Sequence, residues 1–414
     1  MGHHNTAPIT VNNDETIRLG QPAQMLRMIF LAVGLVGVLL GALLGMLEGD
    51  AFARFFHSYL ISFCFFVSLS LGGLFFVALQ HLVRAGWSVT VRRISEITAA
   101  ALVPMAILFL PILGPMLMGT EAASSLYVWN SAEKVATDEL VAHKAPYLNA
   151  GFFAIRAIFY FLVWGVAARF FLRNSLAQDQ TGDAARTLKM QELSPITLIL
   201  FALTVTFASF DWLMSLNPHW FSTIFGVYFF AGSIVSFFAM LAVVAVLLQH
   251  FGKLSDVITT DHYHDLGKYL FGFTMFWAYI AFSQYLLIWY GNIPEETEWF
   301  LVRQNNGWEY IALVLIFGHF ILPFLGLMSR HVRRRKLLLA AWGVWILVMH
   351  WIDIYWLVMP QVSPEGLTFG LIDLCCLLGI GGFYISNLIW IAADRPLVPV
   401  QDPWLSESLA FKQV

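Results

Sequence analysis

Two aspartates sit inside apolar runs of helix length, each with a proline seven positions on: Asp211-Trp-Leu-Met-Ser-Leu-Asn-Pro218 and Asp353-Ile-Tyr-Trp-Leu-Val-Met-Pro360. A charge in so apolar a setting is costly and is usually kept for a task. Carboxylates and imidazoles inside a membrane are the usual material of proton relays, which is the chemistry such residues could do. Arg156 lies at a depth similar to that of Asp211, so an Arg–Asp pair is expected. That pair reads equally well as a static salt bridge, because arginine does not release protons. Asp353 has His350 one turn before it, an (i, i+3) spacing on one helix face. His319 falls near the middle of its run and is either a relay member or a hydrogen-bonded core residue. Asp373, early in the last run, is a further candidate.

Glu96 stands one turn after Arg92 and Arg93. It is read as a local (i, i+4) partner of Arg92, or as a point of proton uptake. His250 closes another apolar run. Gln284 and Tyr285, in Ala-Phe-Ser-Gln-Tyr-Leu, could hold a quinone carbonyl or bond neighbouring helices. Asp261-His-Tyr-His-Asp265 has a spacing that could take a metal, but a solvated loop between runs is the reading adopted. The three cysteines, Cys64, Cys375 and Cys376, all lie in apolar runs, and no Cys-x-x-Cys-His occurs. That excludes c-type haem attachment and an iron–sulfur cluster in this chain. A b-type haem would need two histidines at matched depth, and His319 and His350 are poorly matched. The residues therefore predict no catalytic group, no metal and no bound cofactor here.

The elements that must carry these residues follow from composition. The chain has 414 residues, 59% of them hydrophobic and 12% charged. This predicts an all-α polytopic membrane protein. Ten apolar runs reach spanning length: 25–47, 55–83, 94–118, 147–172, 194–216, 220–249, 266–291, 308–329, 337–359 and 367–392. Each must be a helix, because a bilayer offers the backbone no water to bond. With the N-terminus in the cytoplasm, 18 of the 23 basic residues fall on cytoplasmic segments. The positive-inside rule thus puts both termini in the cytoplasm. The outer segments hold Arg54, Lys134, Lys144 and Arg303. The polar start lacks a signal-peptide pattern. The outer segment 119–146 either folds over the membrane face or docks a partner, and the cytoplasmic segment 173–193 reads as a simple linker. Trp87, Trp212, Trp220, Trp299, Trp308 and Trp356, near run ends, are expected mostly as interfacial belt residues.

The two Asp-Pro motifs each follow a Gln-His pair at the end of an earlier run, Gln80-His81 and Gln249-His250. This echo suggests a duplication, with helices 2–5 and 6–9 forming two four-helix bundles. The expected organisation is a tail at 1–24, a peripheral helix at 25–48, a first bundle at 55–217, a second at 219–360, a peripheral helix at 367–392 and a tail at 393–414. Gly37, Gly41 and Gly45, with Gly34 nearby, form a small-residue ridge on helix 1 that invites close approach by another helix, of this chain or of a partner subunit.

The stretch from Ser194-Pro-Ile-Thr through Phe207-Ala-Ser-Phe-Asp-Trp-Leu-Met-Ser-Leu-Asn-Pro218 to Gly232 carries a resemblance. So does Phe276-Trp-Ala-Tyr-Ile-Ala-Phe-Ser-Gln-Tyr-Leu-Leu-Ile-Trp-Tyr-Gly-Asn-Ile-Pro-Glu295. Both resemble the ActF-type membrane subunit of bacterial alternative complex III, a quinol:electron acceptor oxidoreductase, itself similar to NrfD-like subunits. The resemblance covers helices 5–9 well. It implies two four-helix bundles plus two helices, a place in the bacterial cytoplasmic (inner) membrane, and no redox cofactor in this chain. It implies partners: an NrfD-like quinol-binding subunit, an iron–sulfur subunit and c-haem subunits. The quinol site, with menaquinone or another quinone, belongs to the sister subunit, and this chain contributes coupling or proton movement. Lipids are its surroundings, and nucleic acid has no place. The expected function is a non-redox membrane subunit with two half-pathways for protons. One uses Glu96, His250 and His319 on the cytoplasmic side. The other uses Arg156, Asp211, His350, Asp353 and Asp373 on the outer side. A quinone-binding subunit, a free-standing transporter and a structural scaffold are the alternatives.

Overall fold

A computed structural model describes residues 14–50 and 52–413; residues 1–13 of the expected N-terminal tail lie outside the described residues. Among the described residues there is no strand, and ten helices are long and apolar enough to cross a membrane. The protein is an all-α polytopic membrane protein. The spans are α1 (Pro22–Glu48), α2 (Ala53–Leu82), α3 (Gly86–Met118), α4 (Ala150–Thr181) and α5 (Ala185–Trp212). They continue as α6 (Phe225–His250), α7 (Thr260–Gly291), α8 (Trp308–Met328), α9 (Lys336–Val358) and α10 (Leu371–Ala392).

The contacts close into two rings of four. In the first, α2 touches α3 and α5, and α4 touches α3 and α5. In the second, α6 touches α7 and α9, and α8 bridges α7 and α9. The rings meet chiefly along α2 and α6, with α5 and α9 adding contacts at the seam. This explains why α2 and α6 are the most enclosed spans and why neither shows a polar stripe: each faces protein on nearly all sides. The two tails lie on one face, here the tail face; the segments 119–149 and 292–307 lie on the other, the cap face.

Prolines set the irregularities. Pro104 and Pro111 lack the N–H that an α-turn needs, and their rings crowd the carbonyl four residues back. Accordingly α3 breaks at Ala101 and Phe109. Pro323 stands four residues after His319, and there α8 widens into a π-turn over Leu315–Ile321.

The expected linker at 173–193 is mostly helix. The spans α4 and α5 both run on past the apolar stretch, and only Gly182 to Ala184 leave the helix, with Gly182 taking the left-handed cap at φ 64°. Residues 173–193 are polar but rich in Ala, Arg, Gln, Leu and Lys, which favour helix wherever water solvates the outside. The expected loop at Asp261–Asp265 is the first turns of α7. The Thr259 amide donates to His262 Nδ1 at 3.0 Å, which caps the helix from inside the cluster, and Asp261 in the first turn suits the helix dipole.

The glycine ridge of α1 meets α10, a helix of the same chain and not a partner's. A Cβ on Gly37 would come within 2.6 Å of the Gly379 nitrogen, and one on Gly34 within 2.8 Å of the Phe383 nitrogen. The opposing atoms are backbone, which cannot swing aside. We expect Gly37→Leu to cost more than the roughly 1–3 kcal/mol of ordinary overpacking and to separate α1 from α10. Hydrogen exchange of the α10 amides in detergent reads this. Unchanged protection at 371–392 would refute it.

Four of the six tryptophans expected in an interfacial belt are packed inside: Trp212, Trp220, Trp299 and Trp308 are buried. Trp220 and Trp299 stack at 4.3 Å, and Trp220 Nε1 donates to the Glu296 carbonyl at 3.2 Å, so the turn before α6 is tied to the segment between α7 and α8 on the cap face. The C-terminal residues form a strap across the tail face. Leu397 donates its amide to the Ile17 carbonyl at 2.7 Å, Ser408 Oγ donates to the Trp87 carbonyl at 2.6 Å, and the Gln413 side chain reaches His264 and Asp265 on α7.

Candidate functional site

The two aspartates that share a sequence motif have different surroundings. In the first bundle the expected pair forms. Arg156 Nε donates to Asp211 Oδ2 at 2.8 Å and Nη2 to Oδ1 at 2.9 Å, while Tyr160 adds its hydroxyl to Oδ2 at 2.7 Å. The third guanidinium nitrogen donates to the Tyr147 carbonyl at 2.8 Å, and the Tyr147 ring lies 3.9 Å from the charge. All three guanidinium nitrogens and both carboxylate oxygens are engaged, two of the bonds as a planar two-toothed bridge, the geometry that best repays burial. Asp211 lies in the last turn of α5, so the cap-face segment covers it where helix depth does not. Tyr127 donates to the Trp212 carbonyl at 3.0 Å and Trp129 Nε1 to Ser215 Oγ at 3.3 Å. Segment 119–146 therefore folds over the membrane face. Its short helix Glu139–Lys144 is capped by Asp138, whose bond from the Val141 amide holds its carboxyl below the usual range.

Asp353, in α9, has no basic group within ion-pair distance among the described residues. Its oxygens accept from the Tyr228 hydroxyl of α6 and from Trp277 Nε1 of α7, the latter at 3.1 Å. The expected pairing with His350 is not made. His350 turns its Nε2 across the bundle seam to Ser68 Oγ of α2, at 2.9 Å, and its Nδ1 finds no partner. The (i, i+3) spacing places both residues near one face, but Tyr228 and Trp277 already fill the space around the carboxylate.

His319 sits beside Trp277, the residue that bonds Asp353, and near His350. Its ring stacks on Trp277 at 3.8 Å and lies 6.4 Å from the His350 ring, centroid to centroid. It is wholly buried, and neither of its nitrogens has a protein partner. Buried polar atoms are usually bonded, so three imidazole nitrogens without a protein partner in one place make this cluster a candidate site. The π-turn explains the position. Widening the helix over Leu315–Ile321 re-aims His319 into the bundle and releases the Gly318 carbonyl, which Trp345 Nε1 takes at 2.7 Å. Such turns are frequent at functional sites. The signal for it in the sequence is Pro323, four residues on. Asp353, Trp277, His319, His350 and Ser68 thus form one polar cluster from three helices of the second bundle, α7, α8 and α9, to α2 of the first.

The other predicted residues do not join it. Glu96 is buried in an ion cluster whose nearest cation is Arg93, at 2.9 Å; Arg92, the expected partner, is at 3.7 Å. The three-residue spacing wins because Arg93 Nη2 also reaches Asp179 of α4 at 2.7 Å, while Arg92 turns to Asp402 of the strap. His250 is exposed at the end of α6 and contacts neither Glu96 nor His319. Its counterpart His81 is buried and stacks on Phe171, so the Gln-His echo does not mark equivalent surroundings. Asp373 is buried and bridged to Arg54, with Ser58 donating at 2.7 Å, which makes it a second static pair. Gln284 is buried with Oε1 unpartnered. Tyr285 accepts from Gln304 at 3.2 Å, and neither residue lines the cavity found beside α7.

Sequence reasoning also missed Arg303, counted as a loop charge. It is fully buried, donates to the carbonyls of Trp299, Trp356 and Leu357 at 2.8–3.1 Å, and lies 3.4 Å over the Trp299 ring. Burial lowers its pKa, and the carbonyls at the end of α9 supply the compensating negative field. Among the described residues no group of three His, Cys, Asp or Glu is placed to hold a metal. No protein-family model matches the chain, and no curated protein matches it.

Proposed function

We propose that this chain is a non-redox integral membrane subunit of a respiratory quinol:electron acceptor oxidoreductase of the alternative complex III kind. In it the second bundle contributes to proton translocation or coupling. One observation carries the reading: the cluster around His319 holds a buried carboxyl bonded only by neutral donors, beside two imidazoles with three unpartnered nitrogens. A group with no fixed countercharge can gain and lose a proton without stranding a partner, which Asp211 and Asp373 cannot do. The pathway proposed here is therefore narrower than the one expected from sequence: Asp353, His319 and His350 titrate, while Arg156, Asp211, Asp373 and Glu96 hold the scaffold.

The sequence resemblance supplies the assembly: an NrfD-like quinol-binding subunit in the membrane, with iron–sulfur and c-haem subunits on the cap face. The basic residues supply the orientation. Of the four expected on outer segments, Arg54 and Arg303 are buried and not displayed, which leaves Lys134 and Lys144 on the cap face. Both tails then face the cytoplasm of a bacterium.

Asp353→Asn tests this in the complex reconstituted into proteoliposomes. The amide keeps its carbonyl as acceptor for Tyr228 or Trp277, so the fold survives. We expect quinol oxidation to continue with fewer protons released per electron. A wild-type ratio would sink the proposal. Asp211→Asn is the contrast, expected to reduce assembly without changing the ratio in whatever complex forms.

A further inference from the structure

A cavity of about 460 Å³ opens beside α7 on the tail-face half of the membrane, where α7 passes Trp87 at the start of α3. Its α7 wall is a single stripe: Asp265, Lys268, Tyr269, Gly272, Phe273 and Phe276 recur every one to four residues. At 1.5 Å per residue the stripe runs about 16 Å, close to half of a roughly 30 Å hydrocarbon core. It is charged at the end toward the tail face and aromatic beyond. A wall with one leaflet's length and one polar end fits an amphiphile standing in that leaflet.

The charged end says which one. Asp265 and Lys268 form an ion pair, with Lys268 and Gln413 both bonding Asp265 Oδ1. These bonds leave Oδ2 and two of the three ammonium protons of Lys268 for a ligand. A cation and an anion one turn apart complement a headgroup that itself carries a phosphate and an ammonium. The flat aromatic faces nearby are occupied by each other, with Tyr269 stacked on Phe238 at 4.9 Å and on Trp87 at 5.7 Å. No open cage remains for a quaternary ammonium. An ammonium that carries N–H donors suits Asp265 instead.

We infer that this groove binds one zwitterionic phospholipid with a primary ammonium headgroup. Its phosphate sits on Lys268, its ammonium donates to Asp265 Oδ2, and an acyl chain lies along Gly272, Phe273 and Phe276. The inference is independent of the proton reading. Gly272 sets the depth of the groove, since a Cβ there would meet nothing within 4 Å.

Native mass spectrometry of the full chain in mild detergent tests it, with four probes titrated: dioleoylphosphatidylethanolamine, dioleoylphosphatidylcholine, dioleoylphosphatidylglycerol and menaquinone. We expect one phosphatidylethanolamine to bind at least about tenfold more tightly than phosphatidylcholine, the ratio that about 1.4 kcal/mol confers. Asp265→Asn should level the two. Gly272→Leu, which raises helix propensity and meets open space, should abolish binding with an unchanged thermal midpoint. Equal affinity for the ethanolamine and choline lipids would overturn the inference. So would tighter phosphatidylglycerol, displacement by menaquinone, or full binding to the Gly272→Leu protein.

Discussion

Replacing Arg156 with methionine is expected to destabilise the protein by about 3–5 kcal/mol, the cost of stranding one member of a buried ion pair. Asp211 would keep the Tyr160 hydroxyl but lose both guanidinium bonds, in a place only 1% exposed. The Tyr147 carbonyl would lose its donor too, and with it the tie between α4 and the segment that covers it. Folded yield and the thermal midpoint in detergent read the loss. The double variant Arg156→Met, Asp211→Leu should recover most of it, because removing both charges removes the desolvation cost along with the attraction. If the double variant falls as far as the single one, the pair is not what holds this corner.

The second large effect is expected at Arg93, whose guanidinium is 0% exposed and bonds Glu96, Asp179, Ser175 and the Pro396 carbonyl. Arg93→Met would leave two carboxylates sharing Arg92, again at a cost of about 3–5 kcal/mol. Here the loss has a second readout. Arg92 currently holds Asp402 of the strap. With Glu96 and Asp179 competing for it, the strap should loosen and become open to protease between 393 and 413. Asp402→Asn should free the strap while leaving the α3–α4 cluster intact. A strap as protease-resistant in Arg93→Met as in the wild type would show that its other anchors, the buried Leu397, Val398 and Leu405 and the bonds to Ile17 and Trp87, hold it without the ion cluster.

The apolar runs placed all ten spans, because a bilayer demands a continuous apolar length and little else resembles one. What they could not show is where a helix continues after leaving the bilayer. The stretches 173–193 and 261–265 are helical where loop is expected for that reason: their polarity marks solvation, not a break in the helix. The Arg156–Asp211 pair was legible because equal depth on successive helices limits the partners to a few. The surroundings of Asp353 were not. Tyr228 and Trp277 come from helices far away in sequence, and nothing local distinguishes them from ordinary aromatic core. The burial of Arg303 and Arg54 was hidden by the habit of assigning loop charges to water. Arg54 is enclosed by Met359, Thr368 and Asp373 and Arg303 by carbonyls at the end of α9, so depth along the chain and depth in the molecule part company there.

The contact between α1 and α10 also bears on how the molecule is made. Gly37 and Gly379 touch backbone to backbone, yet eight spans separate their helices in the chain. At roughly 5–20 residues per second, α1 leaves the ribosome tens of seconds before its partner exists. During that interval its ridge of glycines faces lipid. Small residues let backbones approach closely in lipid, so the ridge is an open pairing surface, met only in part by Phe55 of α2 at Gly41 and Gly45. The last span then seats on both α1 and α2 at once. The join is thus a closing step that only a translated and inserted α10 can perform, and a chain stopped before residue 371 would present an unsealed α1 to the membrane's quality-control proteases.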